Sequence, residues 1–453
     1  MHYVIFALVL LSIPILASLL RQNPHLRHWA LTVMGALMFT GGNLRIDAAL
    51  IGWPMWNGTA RGIEVSPIDA LAMALILTRR GKGPTRPFWI VIGLYGAVLA
   101  LSMSQASVWM ATLFSCWQYV RGGIVFAAVA GECGRPDCRT GLFRGLSLGL
   151  ILQACYVINQ KLHGMVQATG TMFHQNTLGM MTELALLILI AALLAGERAK
   201  LVKVGIVAGL IVIAGGGSRG AMGIAGGGIA IYTLLSLIRG VTPVKLRMVG
   251  LGVLALVVIV PLGMATLKDR FGSESITTQE TQRAAFERAA TAMAADHPLL
   301  GVGANLYVPT ANLKGYADKA GVAWNQANRS APVHNAYLLA RAETGWAGEL
   351  TFFTLLIIPI FIGLRFAFKN RTGTAGEIAL GAAIAVGVNL VHNSYEFTVF
   401  NYEVLALLFM AIGMVAAQVR VMPQQRARRP APPPADVEQR LVPQLAGAAR
   451  TIR

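Results

Sequence analysis

The chain has few charged residues: Asp, Glu, Lys and Arg make up 13% of its 453 residues, against roughly a quarter of an average soluble domain. Residues 3–20, 220–238 and 248–267 contain no charge at all, and a helix of about 20 residues spans the hydrocarbon core of a bilayer. The composition excludes an ordinary cytosolic enzyme. It predicts an all-α, polytopic integral membrane protein.

Cysteine is scarce, with four residues in the chain. Cys116 and Cys155 lie inside apolar runs, whereas Cys133 and Cys138 flank a basic loop with no neighbouring His or second Cys pair. Neither a disulfide framework nor a complete set of zinc ligands follows from this pattern. The first apolar run lacks a basic segment before it and a small-residue cleavage site, so we expect a retained first helix.

Acidic residues are outnumbered, with 20 Asp and Glu against 38 Lys and Arg, which gives a net charge of +18. In membrane proteins such an excess normally lies in cytoplasmic loops that face anionic lipid, so no nucleic-acid partner is needed to explain it. Asp47 and Glu64 are widely spaced acids in the expected outer loops, without a paired motif for magnesium or manganese. No metal or other cofactor is therefore expected, and no nucleophile elbow supports Ser-His-Asp chemistry.

The distribution of charge predicts the topology. Between Lys203 and Arg239 the only charged residue is Arg219, and one helix over this length would be far longer than a bilayer is thick. We expect two helices that meet at the turn 215–218, with their basic ends in the cytoplasm. The uncharged run 87–120 divides in the same way at 102–105. Both turns then lie on the outer side.

This reasoning predicts about twelve transmembrane helices, in two groups at 1–268 and 333–421. Further spans are expected at 29–43, 66–78, 141–160, 177–196, 334–364, 377–395 and 401–420. Residues 422–453, rich in Pro, Arg and Ala, are expected to form a disordered cytoplasmic tail.

Between the two groups, residues 269–332 are expected to form a long periplasmic loop. Thr277 and Glu280 are spaced as a capping box, and good helix formers over 278–296 predict a helix lying on the membrane. Pro298 and the glycines after it should end this helix. Its apolar side would carry Phe286, Ala290, Met293 and Ala294.

Polar residues that could carry chemistry fall in four groups at the same outer level, where ionisable side chains usually line a cavity or a substrate path. They are His174 with Asn176, Ser218 with Arg219, Arg283 with Arg288, and His334 with Asn335. Arg219 begins a helix directly after glycines, so its guanidinium and the free N–H groups of the helix end would suit a phosphate. A snorkelling or turn-capping arginine is the alternative.

Structural roles are open for the other groups. Arg283 and Glu287 have the i, i+4 spacing of a surface ion pair. His334 could cap a helix or pack in a core, and His174 with Asn176 could cap the helix that begins near residue 177. Structural partnership of buried polar groups is favoured for Glu183, Arg341 and Glu343.

Arginines with a histidine, and no acidic metal site, suit transfer from a diphosphate donor. The arginines would neutralise a good leaving group, and the imidazole would remove a proton from an incoming hydroxyl.

Five short motifs occur in a fixed order along the chain. They are Gly170-Thr-Met-Phe-His-Gln-Asn176, Ser218-Arg219-Gly220, Arg283-Ala-Ala-Phe-Glu-Arg-Ala-Ala, His297-Pro-Leu-Leu-Gly-Val-Gly303, and HNAYLLARAETGWAG from His334. Together with the long outer loop they cover about residues 65 to 420 and resemble the bacterial O-antigen ligase and O-antigen polymerase superfamily.

The resemblance implies a GT-C-like glycosyltransferase of the bacterial inner membrane. In the ligase branch, the enzyme takes a glycan from undecaprenyl diphosphate on the periplasmic side and passes it to a sugar hydroxyl of lipid A-core, without metal or nucleotide. Matched by position, Arg219 and Arg283 correspond to the diphosphate-binding arginines and His334 to the base. Candidate supporting residues are Ser218, Arg288, Asn335, His174 and Asn176. One departure is Glu287, where relatives often carry Trp.

Other functions stay open at this point. O-antigen polymerases and protein O-oligosaccharyltransferases share the same motifs. A transporter or lipid flippase is the alternative from another class, with Arg219 and Glu183 lining a pathway. It is disfavoured because the chain shows no repeated halves and concentrates its polar residues on one face and in one loop.

The charge asymmetry makes a topology prediction. A reporter fused at Ala311 should be active only as a periplasmic fusion, and one at Gln425 only as a cytoplasmic fusion. Paired alkaline phosphatase and fluorescent-protein fusions measure this directly. Both positions on one side of the membrane would contradict the map.

Overall fold

A computed structural model describes residues 2–44, 46–79, 83, 85–250, 252 and 276–428 of the chain. Almost all of the regular structure is helical, with one small β-hairpin. The helices are α1 (His2–Gln22), α2 (Leu26–Leu37), α3 (Pro67–Leu77), α4 (Arg86–Ser102), α5 (Trp109–Glu132), α6 (Pro136–Leu162), α7 (Gln175–Leu194), α8 (Lys200–Gly216), α9 (Arg219–Arg239), α10 (243–250), α11 (Ile276–Asp296), α12 (Tyr307–Leu313), α13 (Tyr316–Lys319), α14 (Gln326–Arg329), α15 (Ala336–Lys369), α16 (Thr374–His392) and α17 (Tyr402–Arg428).

Nine helices in the described part of the chain are long and apolar enough to cross a membrane: α1, α4, α5, α6, α7, α9, α15, α16 and α17. The all-α, polytopic membrane fold predicted from the sequence is confirmed, whereas the number of about twelve spans is not. Both predicted breaks between helices occur, since α8 ends before Gly217 and α4 ends at Ser102. The apolar run 248–267 lies almost entirely outside the described residues.

The centre of the bundle is formed by α7, α16 and α17, whose residues are buried on nearly every side. Small residues allow this close approach: a Cβ added to Gly381 of α16 would lie 2.2 Å from that of Ala191 on α7. One added to Gly228 of α9 would lie 2.4 Å from Val388 Cγ2. Helices in lipid associate largely by such packing, because lipid tails are as apolar as the side chains themselves.

Residues 276–333, named here the cap, cover the end of the bundle at which α7, α9, α15 and α17 begin. The cap has its own apolar core, to which α11 contributes Phe286, Ala290 and Met293. Ala294, the fourth residue predicted from the periodicity of α11, is buried as well. As predicted, α11 ends at Asp296, before Pro298. Its start differs, since the helix already includes Ile276 and Thr277, so Thr277 is not the N-cap.

The cap is fixed to the bundle where α15 breaks. Gly345 has φ 68° and ψ −170° inside this helix, and the carbonyls freed there accept hydrogen bonds from the cap: Val302 N–H donates to Ala342 O at 3.1 Å, and Gly303 N–H to Glu343 O at 2.9 Å. The Glu343 carboxylate accepts the N–H groups of Asn305 and Tyr307 at 2.8 and 2.9 Å. Glu343 thus acts as a structural partner, the role that the sequence favours.

A β-hairpin supports the cap from the side. Strands β1 (Ala48–Gly52) and β2 (Gly62–Val65) are antiparallel, with Ala48 opposite Val65. Asn305, with φ 67°, donates its side-chain N–H groups to Ala60 O at 2.7 Å and to Ala111 O at 3.0 Å. One residue therefore joins the hairpin, α5 and the cap.

The opposite end of the bundle holds buried ion pairs. Arg27 Nη1 lies 2.8 Å from Glu132 Oε1, and Glu377 binds both Arg239 and Lys245. Arg239 and Lys245 are at helix ends that the sequence assigns to the cytoplasm, and that side stays a prediction. The helix α17 continues through residues 422–428, good helix formers for the most part, although the sequence predicts a tail from 422. Residues 429–453 lie outside the described ones.

The tight contact between the cap and α15 makes a stability prediction. A Cβ at Gly301, where φ is 66°, would lie 2.2 Å from the carbonyl carbon of Glu343, whereas one at Gly315, where φ is 74°, would meet nothing within 4 Å. Gly315→Ala should cost about 1 kcal/mol for backbone strain alone, and Gly301→Ala clearly more. Thermal unfolding of the purified protein in detergent measures both, and equal shifts in Tm would contradict the docking geometry.

Candidate active site

Glu396 lies at the centre of the candidate site, in the turn between α16 and α17, with 3% of its side chain exposed. Asn176 Nδ2, from the start of α7, donates to Glu396 Oε1 in a short hydrogen bond. Arg283 Nη2, from α11 of the cap, is 3.6 Å from the same oxygen. His334 Nδ1 is 3.2 Å from Glu396 Oε2. One carboxylate is thus contacted by polar groups from both the bundle and the cap.

The surroundings of Glu396 keep it ionised. Burial alone would raise the pKa of this carboxyl, but the hydrogen bond with His334 and the electrostatic attraction of His334, His174 and Arg283 outweigh it and hold the pKa below its ordinary value. At neutral pH the carboxylate can therefore accept a hydrogen bond from an imidazole N–H.

His334 is held in one orientation directly before α15. Asn335 caps this helix, accepting the N–H groups of Tyr337 and Leu338 at 3.0 and 3.1 Å. The imidazole lies between two rings, with centroid distances of 6.0 Å to Phe286 and 5.5 Å to Phe397. Because Nδ1 faces Glu396, a proton on Nδ1 leaves the lone pair of Nε2 available, and 24% of the side chain is exposed.

Arg283 is half exposed, with 47% of its side chain open to solvent. The i, i+4 ion pair with Glu287 that its spacing suggests is not among the ion pairs of the described residues, and Glu396 is the acid within reach. A guanidinium has five N–H donors in a planar fork, so a single long contact leaves donors for an anion.

Ser218 and Arg219 lie at the neighbouring turn between α8 and α9. Gly217 closes α8 with φ 66°, and the Ser218 hydroxyl accepts the N–H of Ala221 at 3.4 Å. Arg219 is exposed as the first residue of α9. A Cβ added to Gly179 in the first turns of α7 would lie 2.6 Å from that of Ala221. The start of α9 therefore adjoins the start of α7, which carries Asn176.

The side chains of the other candidate residues form hydrogen bonds with backbone groups. His174 Nδ1 accepts the N–H of Asn176 at 3.2 Å and so caps α7. Arg288 Nη2 donates to Ala320 O at 2.8 Å, which ties α11 to the end of α13 inside the cap. Asn335 and Ser218 are also helix caps. Among the supporting residues named from the sequence, Asn176 contacts Glu396 directly.

Two further residues that the sequence assigns to structural partnership, Glu183 and Arg341, have such partners. Glu183 and His392 form a buried pair between α7 and α16, with His392 Nδ1 3.0 Å from Glu183 Oε2 and both side chains 1% exposed. Arg341 forms a bidentate pair with Glu349 and lies over the ring of Trp346. Charges at this depth need such partners, because an isolated one would be strongly disfavoured.

Glu396 is the residue of the candidate site that the sequence analysis missed. A signal exists, since Glu396 is the only charged residue in the short turn between the predicted spans 377–395 and 401–420. The three segments that meet it are 62, 113 and 220 positions away in the chain by residue number, for His334, Arg283 and Asn176. No spacing rule links positions so distant.

The widely spaced N-terminal acids also converge. Arg121 of α5, fully buried, lies 2.8 Å from Asp69, 3.7 Å from Asp47 and 3.8 Å from Glu64, and its guanidinium stacks on the Tyr402 ring at 3.5 Å. Within the described part of the chain, no cluster of three or more His, Cys, Asp and Glu side chains is arranged to hold a metal ion. These acids instead surround an arginine.

Part of the chain is similar to a known protein family. Residues 183–353 match the O-antigen ligase family, a range that contains Arg219, Arg283 and His334. A comparison with curated proteins found no match. The family match confirms the resemblance found in the sequence, and it supports a membrane-bound transferase of the ligase and polymerase type that acts on a lipid-linked glycan and an acceptor.

Proposed function

We propose that the protein is an O-antigen ligase of the bacterial inner membrane. It transfers a glycan from undecaprenyl diphosphate to a sugar hydroxyl of lipid A-core on the periplasmic side. The observation that carries this proposal is the shared carboxylate of Glu396, which brings a half-exposed arginine, Arg283, beside a partly exposed histidine, His334. A cation for the donor and a base for the acceptor thus lie within one site.

His334 is the proposed general base. Glu396 accepts the hydrogen bond from Nδ1–H and acts as a positioning residue, so Nε2 takes the proton from the acceptor hydroxyl. A neighbouring carboxylate also stabilises the imidazolium that forms when the proton arrives. The rings of Phe286 and Phe397 keep the imidazole in this orientation.

Arg283 and Arg219 are the proposed diphosphate-binding residues. Both side chains are accessible. Arg219 is the first residue of α9, so the positive end of this helix adds to the charge of its guanidinium. Neutralising the diphosphate makes it a good leaving group. These cations supply the charge that a metal ion supplies in many phosphate-handling enzymes.

The proposed reaction is a single displacement. The acceptor oxygen forms a bond to the anomeric carbon as the bond from that carbon to the diphosphate oxygen breaks, and the hydroxyl proton passes to His334. Undecaprenyl diphosphate leaves with the electron pair. Attack opposite the leaving group inverts the anomeric centre, and no covalent glycosyl enzyme forms. A product with retained anomeric configuration would reject this scheme.

Reconstitution tests the function as a whole. Purified protein, lipid-linked glycan and lipid A-core should yield glycosylated lipid A-core in the presence of EDTA, because arginines carry out the charge neutralisation. Gel mobility of the glycolipid measures the product. A strict need for added magnesium or manganese would contradict the metal-independent mechanism, and glycan transfer only onto another lipid-linked glycan would identify a polymerase instead.

The arginine assignments predict distinct variants. Arg219→Ala or Arg283→Ala should abolish transfer, and Lys at either position should restore only part of it, because an ammonium lacks the planar bidentate fork. Arg288→Ala is the matched control on the same helix as Arg283: it should lower stability without abolishing transfer in the folded fraction. Near wild-type transfer by both Ala variants would place the diphosphate site elsewhere.

The base assignment predicts a loss of turnover without a loss of donor binding. His334→Ala should reduce kcat by about 10²- to 10⁴-fold, whereas the KM for the donor changes little because the arginines remain. Glu396→Gln should give a smaller reduction in kcat, since the imidazole is retained but less well oriented. If His334→Ala transfers glycan at the wild-type rate between pH 6 and 8, His334 has a structural role and is not the base.

A further inference from the structure

Trp324 is among the most exposed large side chains of the described residues, at 82%, and it lies on the cap. One face of its indole covers the guanidinium of Arg329, with 4.0 Å between Cζ and the ring centroid. The high exposure leaves the other face open.

The platform under Trp324 is rigid. Arg329 is 11% exposed, and its guanidinium donates to Asp318 Oδ1 at 2.7 Å, Val322 O at 2.8 Å and Asn312 Oδ1 at 3.3 Å. The indole thus rests on a cation that three acceptors hold in place. A ring fixed in this way presents a flat surface with little loss of conformational entropy when a ligand binds.

Exposed polar side chains lie close to Trp324. Asp318, 46% exposed, binds the same Arg329 guanidinium, and Asn325 and Gln326 directly follow Trp324 and are exposed as well. An aromatic face bordered by carboxylate and amide groups suits a pyranose, whose C–H face packs on the ring while its hydroxyls bind planar polar side chains. Such a border is unfavourable for insertion into a membrane, where the carboxylate of Asp318 would lose water.

The platform is connected to the candidate active site through one residue. Ala323 N–H donates to Gln282 Oε1 at 3.2 Å, and Asn328 Nδ2 lies 3.4 Å from the same oxygen. Gln282 precedes Arg283, the residue that reaches Glu396. A glycan held at the diphosphate end by Arg283 therefore starts next to the segment that carries Trp324.

We propose that Trp324 forms a glycan subsite on the cap, in which the open face of the indole stacks on a pyranose ring of the substrate and Asp318, Asn325 and Gln326 bind its hydroxyls. This inference rests on the proposed function, which supplies a glycan to the cap. The same chemistry fits sugars of the lipid-linked donor or sugars of the acceptor core, and the two sources are separated by experiment.

The kinetic test uses the purified full chain with two donors: the native lipid-linked glycan, and the same lipid with its glycan shortened to one sugar. Trp324→Ala should raise the KM for the long donor about five- to tenfold, the range expected of aromatic stacking, and leave kcat and the short donor unchanged. Trp324→Tyr, which keeps an aromatic face, should recover most of the affinity. A rise in the KM for lipid A-core instead would assign the subsite to the acceptor.

Two matched control variants separate stacking on the indole from a general loss of exposed apolar surface. Leu313→Ala removes an exposed apolar side chain next to Asn312, a partner of Arg329, and Trp29→Ala removes an exposed Trp in α2, outside the cap. Both should behave as wild type. If Leu313→Ala and Trp324→Ala raise the KM equally for long and short donors, the surface contacts the membrane, and the glycan subsite is rejected.

Direct binding completes the test without turnover. Free glycan, released from its lipid, should bind wild-type protein in saturation-transfer NMR and bind Trp324→Ala more weakly. Equal binding by both proteins together with unchanged KM values for both substrates would overturn the subsite. Wild-type protein that transfers glycan while Trp324→Ala is unaffected would reject the subsite alone, whereas wild-type protein inactive with both donors would reject the proposed function.

Discussion

The buried carboxylate of Glu396 is the interaction on which the candidate site depends. A charge with 3% exposure must be compensated, and leaving it unpaired would cost on the order of 3–5 kcal/mol. Its three partners come from α7, from α11 and from the segment before α15. Because this one anion has to be neutralised, residues of the cap and of the bundle contact it together. An arginine and a histidine therefore lie in the same place.

A second acid, Glu343, determines the position of the cap on the bundle. Glu343 accepts the backbone N–H groups of Asn305 and Tyr307, and the break at Gly345 exposes carbonyls that the cap satisfies. In lipid an irregular helix is tolerated only where protein replaces the missing hydrogen bonds. The two acids have different roles. Glu343 positions the cap through backbone contacts, and Glu396 contacts the side chains that face the substrate in the proposed reaction.

Local features of the fold could be predicted from the sequence, and distant pairings could not. The hairpin before Arg219 follows from charge and glycine, and the end of α11 follows from periodicity and Pro298. By contrast, Glu396 with Asn176, and Glu183 with His392, join positions more than 200 residues apart. Asn305 links the β-hairpin to the cap over a similar separation. Such contacts depend on how the helices pack. Helix packing cannot be read from the spacing of residues in a single sequence.

The resting contact of Arg283, one of the two proposed donor-binding arginines, links donor binding to the orientation of the proposed base. The charge of Arg283 is already partly engaged by Glu396, at 3.6 Å. A diphosphate that recruits Arg283 would compete with that carboxylate, whose compensation would then rest more heavily on His334 and Asn176. Donor binding and the hydrogen bond that orients the base are therefore linked through Glu396. Because linkage is reciprocal, an acceptor proton arriving on His334 would in turn ease the release of Arg283 toward the departing diphosphate.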